Sequence, residues 1–257
     1  MMAQSMAGRV IIVTGGSEGI GRATGRLLAS EGAHVVICAR RPDALEAARG
    51  EIAAAGSVEA RRLDVGDAAA FEALIREIAE RHGRLDGLVN NAMAVSYKEI
   101  RSLTLDDWRS DFRVNADAVF VGTKTAMEIM IPRPRGAIVN ISSLNGLRAM
   151  PAMASYSASK AALVHFSAVA AMEAAPFGVR VNVVAPGQIM TPATQAFAAA
   201  DPARNDRVSA NIPMGRGGRP EEVAQTIRFL LSDESSYITG ACIPVDGGKL
   251  QQLHVPA

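Results

Sequence analysis

The sequence predicts an α/β fold, a doubly wound seven-stranded parallel sheet with helices on both faces. Three observations carry this. Short runs rich in Val and Ile alternate with longer stretches of helical periodicity along the chain, the order of repeated strand–helix–strand units. A glycine-rich turn directly follows the first apolar run. The 257 residues are 49% hydrophobic and 21% charged, which is enough apolar material for a sheet covered on both sides and too little charge for a disordered chain.

Element by element, residues 9–13 form the first strand and 20–30 the first helix. His34–Ala39 (HVVICA) is the second strand, and the Ala-rich helix 43–55 follows it. Residues 58–63 make a third strand. Helix 67–81 places Phe71, Leu74, Ile75 and Ile78 on one face. Strand 85–90 leads to one long helix, 105–130, ended by Pro132 and Pro134. Strand 137–142, helix 153–175, strand 179–184, helix 221–231 and strand 241–245 complete the order. No repeat, low-complexity stretch or linker interrupts it, so residues 1–257 read as a single domain with right-handed crossovers. Residues 187–219 have no clear period and are too long for an ordinary connection; such a segment is expected to be an irregular substrate lid.

The formal net charge is +1, and the densest basic cluster is the pair Arg40-Arg41. A nucleic-acid or anionic-membrane partner is therefore not expected. No window approaches about 18 uninterrupted apolar residues, and the start, MMAQSMAGRV, lacks a signal-peptide layout. Cys38 and Cys242 each sit in an apolar run, which fits a reducing, cytoplasmic compartment better than a disulfide framework. His34, His82, His165 and His254 are scattered without ligand spacing or a carboxylate companion. No metal is expected, and His165 reads as a helix-packing or boundary residue.

The turn itself is Thr14-Gly15-Gly16-Ser17-Glu18-Gly19-Ile20-Gly21. Glycines allow a sharp turn and close approach of a pyrophosphate, and the following helix offers free N–H groups and a positive dipole end. A Rossmann-type dinucleotide site follows from this position after strand one. A P-loop does not, because no Gly-Lys-Ser/Thr is present. Further along, Tyr156-Ser157-Ala158-Ser159-Lys160 opens a helix. Positions i and i+4 share a face, so the phenol and the ammonium can be neighbours, and a nearby cation lowers a tyrosine pKa toward working pH. Ser143 lies thirteen residues earlier, at the carboxyl end of a strand, where open α/β sheets bind ligands. Asn115 sits inside a long helix, where asparagine is a mediocre residue that invites a reason.

The G-x-x-x-G-x-G spacing, Asn90-Asn91-Ala92, Ser143 with Tyr156 and Lys160, and Pro186-Gly187-Gln188-Ile189-Met190-Thr191 occur in one order. Together they resemble the short-chain dehydrogenase/reductase family, in its short single-domain branch, over about residues 8–248. Gly218-Arg219-Pro220 and Val245-Asp246-Gly247-Gly248 look like its C-terminal landmarks. Where the family has N-N-A-G, this chain has Met93 in place of the glycine, so the local loop departs from the pattern.

The resemblance implies roles. Tyr156 exchanges a proton with the substrate oxygen, and Ser143, rather than the adjacent Ser142, polarises that oxygen. Lys160 lowers the tyrosine pKa and holds the nicotinamide ribose, while Asn115 completes a water relay to the lysine. Gly15, Ser17, Gly19, Ile20 and Gly21 cradle the pyrophosphate. Asp64, Val65 and Asn91 line the adenosine side. Pro186, Gly187, Ile189 and Thr191 meet the nicotinamide. Family members that prefer NAD carry an acid at the end of the second strand. Here Ala39 stands at that position, followed by Arg40 and Arg41, and an arginine can pair with a 2′-phosphate. NADP(H) is therefore favoured over NAD(H), with Glu18 counting slightly against it. The family also implies assembly through the two long helices, so a homotetramer is expected.

The substrate pocket is expected around Met93, Leu144, Met150, Met153 and Met190, whose adaptable side chains suit a mainly apolar ketone or secondary alcohol. Core filling is an alternative use of these methionines. Alternatives to a ketoreductase are a catalytically silent nucleotide-binding regulator, an NAD(H)-preferring dehydrogenase, or an isomerase or dehydratase on the same scaffold.

Overall fold

A computed structural model describes residues 5–133 and 135–252. Pro134 and His254 lie outside the described residues. Seven strands form one all-parallel sheet: β1 Val10–Thr14, β2 His34–Ala39, β3 Val58–Arg62, β4 Gly87–Asn90, β5 Gly136–Ile141, β6 Val179–Pro186 and β7 Cys242–Val245. Their spatial order is β3-β2-β1-β4-β5-β6-β7. The order reverses between β1 and β4, and a crevice opens outside the strand carboxyl ends at such a switch point.

Strand side chains alternate, and both sets are apolar. Ile11, Val13, Val35 and Ile37 face α1 (Gly19–Ser30), α2 (Pro42–Ala53) and α9 (Pro220–Leu231), packing on Leu28, Ile52, Ile227 and Leu230. Ile12, Val36, Leu88 and Ile138 face the other layer, α3 (Ala68–His82), α5 (Ala118–Met130) and α6 (Ala154–Ala174). Phe71, Ile75, Met130 and Ala174 cover that side. Helix starts follow local chemistry. Asp67 caps α3 by accepting from Ala70 N, and Thr104 with Asp107 closes a capping box at α4 (Leu105–Phe112).

Three expectations need correction. The single helix 105–130 is interrupted: α4 and α5 are joined by a π-helical turn, Arg113–Asp117. Such turns carry i→i+5 bonds and cluster at functional sites. The segment after β6 is not irregular. It contains α7 (Pro192–Ala200) and α8 (Pro202–Ala210), each begun by a proline, which is tolerated at the first helical position because its missing N–H would be unpaired there anyway.

The histidines are not all isolated. β2, β3 and the end of α3 bring His34, Glu59 and His82 together, with their ligand-type atoms within 4.8 Å of one another. His165 is exposed on α6 rather than packed. No helix among the described residues is long and apolar enough to cross a membrane.

Candidate active site

The glycine turn is shaped by contacts that leave no room for side chains. Gly15 has φ +64°, and a Cβ there would lie 2.8 Å from Asn91 Nδ2. A Cβ on Gly21 would lie 2.2 Å from the Gly15 carbonyl oxygen. Asn91 Nδ2 donates to Thr14 O at 2.8 Å and to Gly15 O at 3.2 Å. The Thr14 hydroxyl accepts from Asn91 N and Ala92 N at 2.9 and 3.0 Å, so the ends of β1 and β4 are clamped together. The α1 N-terminus has no side-chain cap; Glu18 stands there without one. Its first N–H groups therefore face the crevice without a side-chain partner, the arrangement that binds a phosphate group. Thr191 borders the same turn, with its Cγ2 2.8 Å from where a Gly19 Cβ would be. The residues present thus fit a dinucleotide.

Ala39 ends β2, and Arg40 and Arg41 are exposed beyond it. Arg41 reaches back to Glu18 at 2.5 Å, whereas Arg40 has no ion-pair partner among the described residues. Asp64 follows β3 and accepts Gly66 N at 3.0 Å; Val65 is buried beside it. Pro186 ends β6, and Gly187 packs so close to Asp246 that a Cβ would come within 2.9 Å of it. Ile189 is buried and bridges to Gly218. Thr191 caps α7.

Tyr156 and Lys160 lie in the first turns of α6, and both are buried. Lys160 Nζ sits 5.8 Å from the centre of the Tyr156 ring and donates to Ile141 O at 2.7 Å. An ammonium has three donors, and this is its one acceptor among the described residues. Ser142 and Ser143 separate in role. The Ser142 hydroxyl turns inward to Lys160 O at 3.0 Å. Ser143 caps a short 3-10 turn, Leu144–Gly146, and its hydroxyl lies beside the Tyr156 phenol. Asn115 is fully buried in the π turn. It binds not its own helix but Ala94, accepting from N at 3.0 Å and donating to O at 2.8 Å, and it also donates to Ser159 Oγ at 3.1 Å.

The electrostatics differ from the expectation of a lowered tyrosine. Burial pushes the Tyr156 phenol up to about 12; Ser143 pulls it down, and Tyr97 and Asp111 push it further up. Burial also pulls Lys160 down to about 7. Desolvation disfavours the charged form of each.

Sequence reasoning missed Thr14, Ser159 and Asp111. Asp111 is buried and accepts Ser155 Oγ at 2.5 Å and Ser96 N at 3.1 Å, so it ties the loop after β4 to the residue preceding Tyr156. An acid inside an amphipathic helix usually faces water, so nothing local marked it. Of the expected pocket, Met150 and Met153 converge on the Asn145 amide, Leu144 is half-buried beside them, and Met93 is exposed. Met190 packs against Gly217 and lines a groove with Arg22, Pro192 and Arg219.

Comparisons with known proteins agree with this geometry. A family model described as enoyl-(acyl carrier protein) reductase matches residues 15–249. The chain is 39% identical over 244 residues to the 3-oxoacyl-[acyl-carrier-protein] reductase FabG of Thermotoga maritima, covering 95% of this chain and 98% of that protein. It is 39% identical over 248 residues to the 2,5-dichloro-2,5-cyclohexadiene-1,4-diol dehydrogenase LinX of Sphingobium indicum, covering 96% and 98%. A crystal structure of a putative NAD(P) dependent gluconate 5-dehydrogenase from Beutenbergia cavernae, with bound NADP, superposes with a TM-score of 0.91 at 37% identity, covering 97% and 99%. With its switch-point glycine turn and its buried tyrosine–lysine pair, the chain belongs to the short-chain dehydrogenase/reductase family of oxidoreductases.

Proposed function

We propose that this protein is an NADP(H)-dependent reductase of ketones, and in reverse a dehydrogenase of secondary alcohols. The observation that carries the reading is the pairing of the Ser143 hydroxyl with the buried Tyr156 phenol at the mouth of the sheet. Two oxygen donors meeting at one point suit a carbonyl or alcohol oxygen. With its pKa near 12, Tyr156 is protonated at neutral pH, which is the form that donates a proton during reduction.

A bound dinucleotide would supply or accept the hydride. Gly15, Ser17, Gly19, Ile20 and Gly21 would hold its pyrophosphate. Asp64, Val65 and Asn91 would line its adenosine side, and Pro186, Gly187, Ile189 and Thr191 would meet its nicotinamide end. Ser143 polarises the substrate oxygen while the Tyr156 O–H bond breaks and its proton passes to that oxygen. Lys160, with donors to spare, would hold the ribose hydroxyls and returns a proton toward the phenolate. Asn115 fixes the Ala94 loop and Ser159 behind them and completes the water relay.

Arg40, without an ion-pair partner among the described residues and one residue beyond Ala39, would receive the 2′-phosphate; Arg41 is engaged with Glu18. Consumption of NADPH against NADH across a panel of aliphatic, cyclic and acyl-carrier 3-oxo substrates tests the assignment. NADPH is expected to win. Arg40→Asp is expected to raise the KM for NADPH about 10- to 100-fold, the worth of a charge-assisted hydrogen bond, with little change for NADH. An equal effect on both cofactors counts against the phosphate role. Turnover of enoyl substrates alone overturns the carbonyl reading.

The described helices and sheet work as a single domain, in which residues 187–219, carrying α7 and α8, serve as the lid. Support comes from Phe197 of α7, which meets Tyr97 edge-on at 6.0 Å. This contact links the lid to the loop after β4. Phe197→Ala is expected to raise the substrate KM about fivefold, the worth of one aromatic pair, with kcat nearly unchanged; a kcat loss without a KM change removes the lid role.

The exposed Phe120 on α5 and Val169 and Met172 on α6 support the homotetramer. Light scattering at micromolar concentration is expected to give four chains, and a monomer rules it out.

A further inference from the structure

The edge of the sheet opposite the catalytic mouth holds a second cluster of reactive side chains. His34 is the first residue of β2, Glu59 the second of β3, and His82 the last of α3. The parallel register pairs Val36 with Glu59, so His34, two residues before Val36, shares the face of Glu59. α3 packs over that face and ends at His82. The His34 and His82 rings stand 4.5 Å apart at 37°.

One nitrogen of each ring is unexplained by the fold. His34 Nε2 and His82 Nε2 are both shielded from solvent and have no hydrogen-bond partner among the described residues. Buried polar atoms of this kind cost free energy unless something satisfies them. Glu59 Oε2 is 3.9 Å from His34 Nε2, too far for a hydrogen bond. The other nitrogen of His34 meets Ser57 Oγ at 2.7 Å. When Nδ1–H donates to that hydroxyl, the Nε2 lone pair faces the cluster, as in metal-binding histidines oriented by an outer partner.

The carboxylate of the cluster also has cationic neighbours. Arg81 reaches Glu59 Oε2 at 2.5 Å, and Arg61 pairs with Oε1 and with Glu77.

We propose that His34, His82 and Glu59 form a binding site for one divalent transition cation of the zinc class, separate from the catalytic centre. Two imidazoles and a carboxylate with a solvent ligand make a common zinc donor set. A zinc–ligand bond of about 2.0–2.1 Å puts donors about 3.3 Å apart. The 4.8 Å limit on the present spacing is closed by small side-chain rotations, for which the partial exposure of His34 and Glu59 leaves room. The ion would pin β2, β3 and the end of α3 to one another and would share Glu59 with Arg81.

The test is calorimetric titration of the untagged full chain with ZnCl2 at pH 7.5. NADPH affinity of each sample serves as the check on folding. One equivalent is expected to bind, and the melting temperature to rise with added zinc. His34→Gln and His82→Gln are each expected to weaken binding at least about 10-fold while NADPH affinity is kept. Arg81→Gln is expected to tighten it, because the competing guanidinium is gone; mere packing of two histidines would not produce that gain. Absence of saturable one-equivalent binding overturns the proposal, as does zinc affinity unchanged in both histidine variants. Either result leaves the reductase reading untouched, because none of these residues lies at the mouth of the sheet.

Discussion

Tyr156→Phe is expected to lower kcat by about 10²- to 10⁴-fold, the usual worth of a positioned general acid, while the fold and the NADPH affinity stay intact. The ring is buried and the hydroxyl is its only polar atom. Phenylalanine keeps the ring, so no cavity forms and the start of α6 packs as before. Ser143 keeps the Asn145 N–H at 3.2 Å as a partner, so its hydroxyl is not stranded. The phenol is already disfavoured by burial in its ionised form, and losing it should change stability by no more than about 1 kcal/mol. Steady-state ketone reduction, NADPH fluorescence titration and a thermal melt on one preparation separate these effects. Unchanged turnover would mean that the proton comes from another group. A joint loss of turnover and cofactor binding would mean that the ring positions the dinucleotide rather than supplying a proton.

Much of this architecture was legible in the sequence, for identifiable reasons. A strand buried on both faces must be apolar at every position, so VIIVT and GAIVNI stand out from the Ala-rich, charged helices beside them. The helices and strands named from the sequence end within about two residues of the observed ones, as end fraying allows, except where the π turn breaks 105–130. The glycine turn was readable because backbone approach leaves no substitute for hydrogen at Gly21.

What stayed hidden depends on partners distant in sequence. The π turn is stabilised by Asn115 gripping Ala94, 21 residues upstream; only the oddity of an internal asparagine hinted at it. Helices α7 and α8 were legible in principle. Thr191-Pro192 and Asp201-Pro202 each pair a capping residue with a proline at the first helical position, but the length of the segment outweighed that signal. The His34–Glu59–His82 cluster needs strand register and helix length together, and spacings of 25 and 23 residues match no ligand motif. The raised tyrosine pKa is a burial effect, and residue spacing does not report burial depth.

The second large effect concerns the lysine four residues on. Lys160 is 2% exposed and shifted to about 7 by burial, whereas an unfolded lysine titrates near 10.4. Between those values the unfolded chain binds more protons than the folded one, so stability rises with pH across this window. At about 1.4 kcal/mol per pH unit, the protonation difference costs the folded state on the order of 4 kcal/mol at pH 7, and the cost fades toward pH 10. Above pH 10 the Tyr156 shift acts oppositely, because the folded state then holds the extra proton. Lys160→Met keeps the length of the side chain and removes the titration. It also gives up the bond to Ile141 O, worth about 1–3 kcal/mol. The variant is therefore expected to be more stable than the parent at pH 7, by on the order of 1–3 kcal/mol, with no advantage left by pH 10, and to lose turnover by about 10²-fold or more. Melts at pH 7 and pH 10 on both proteins check the first part, and single-turnover reduction checks the second. A stabilised but inactive variant identifies Lys160 as a charge held against the preference of the fold, which is what a group kept for chemistry looks like. A destabilised variant at pH 7 would instead assign the ammonium a structural task, and the proton return to Tyr156 would need another source.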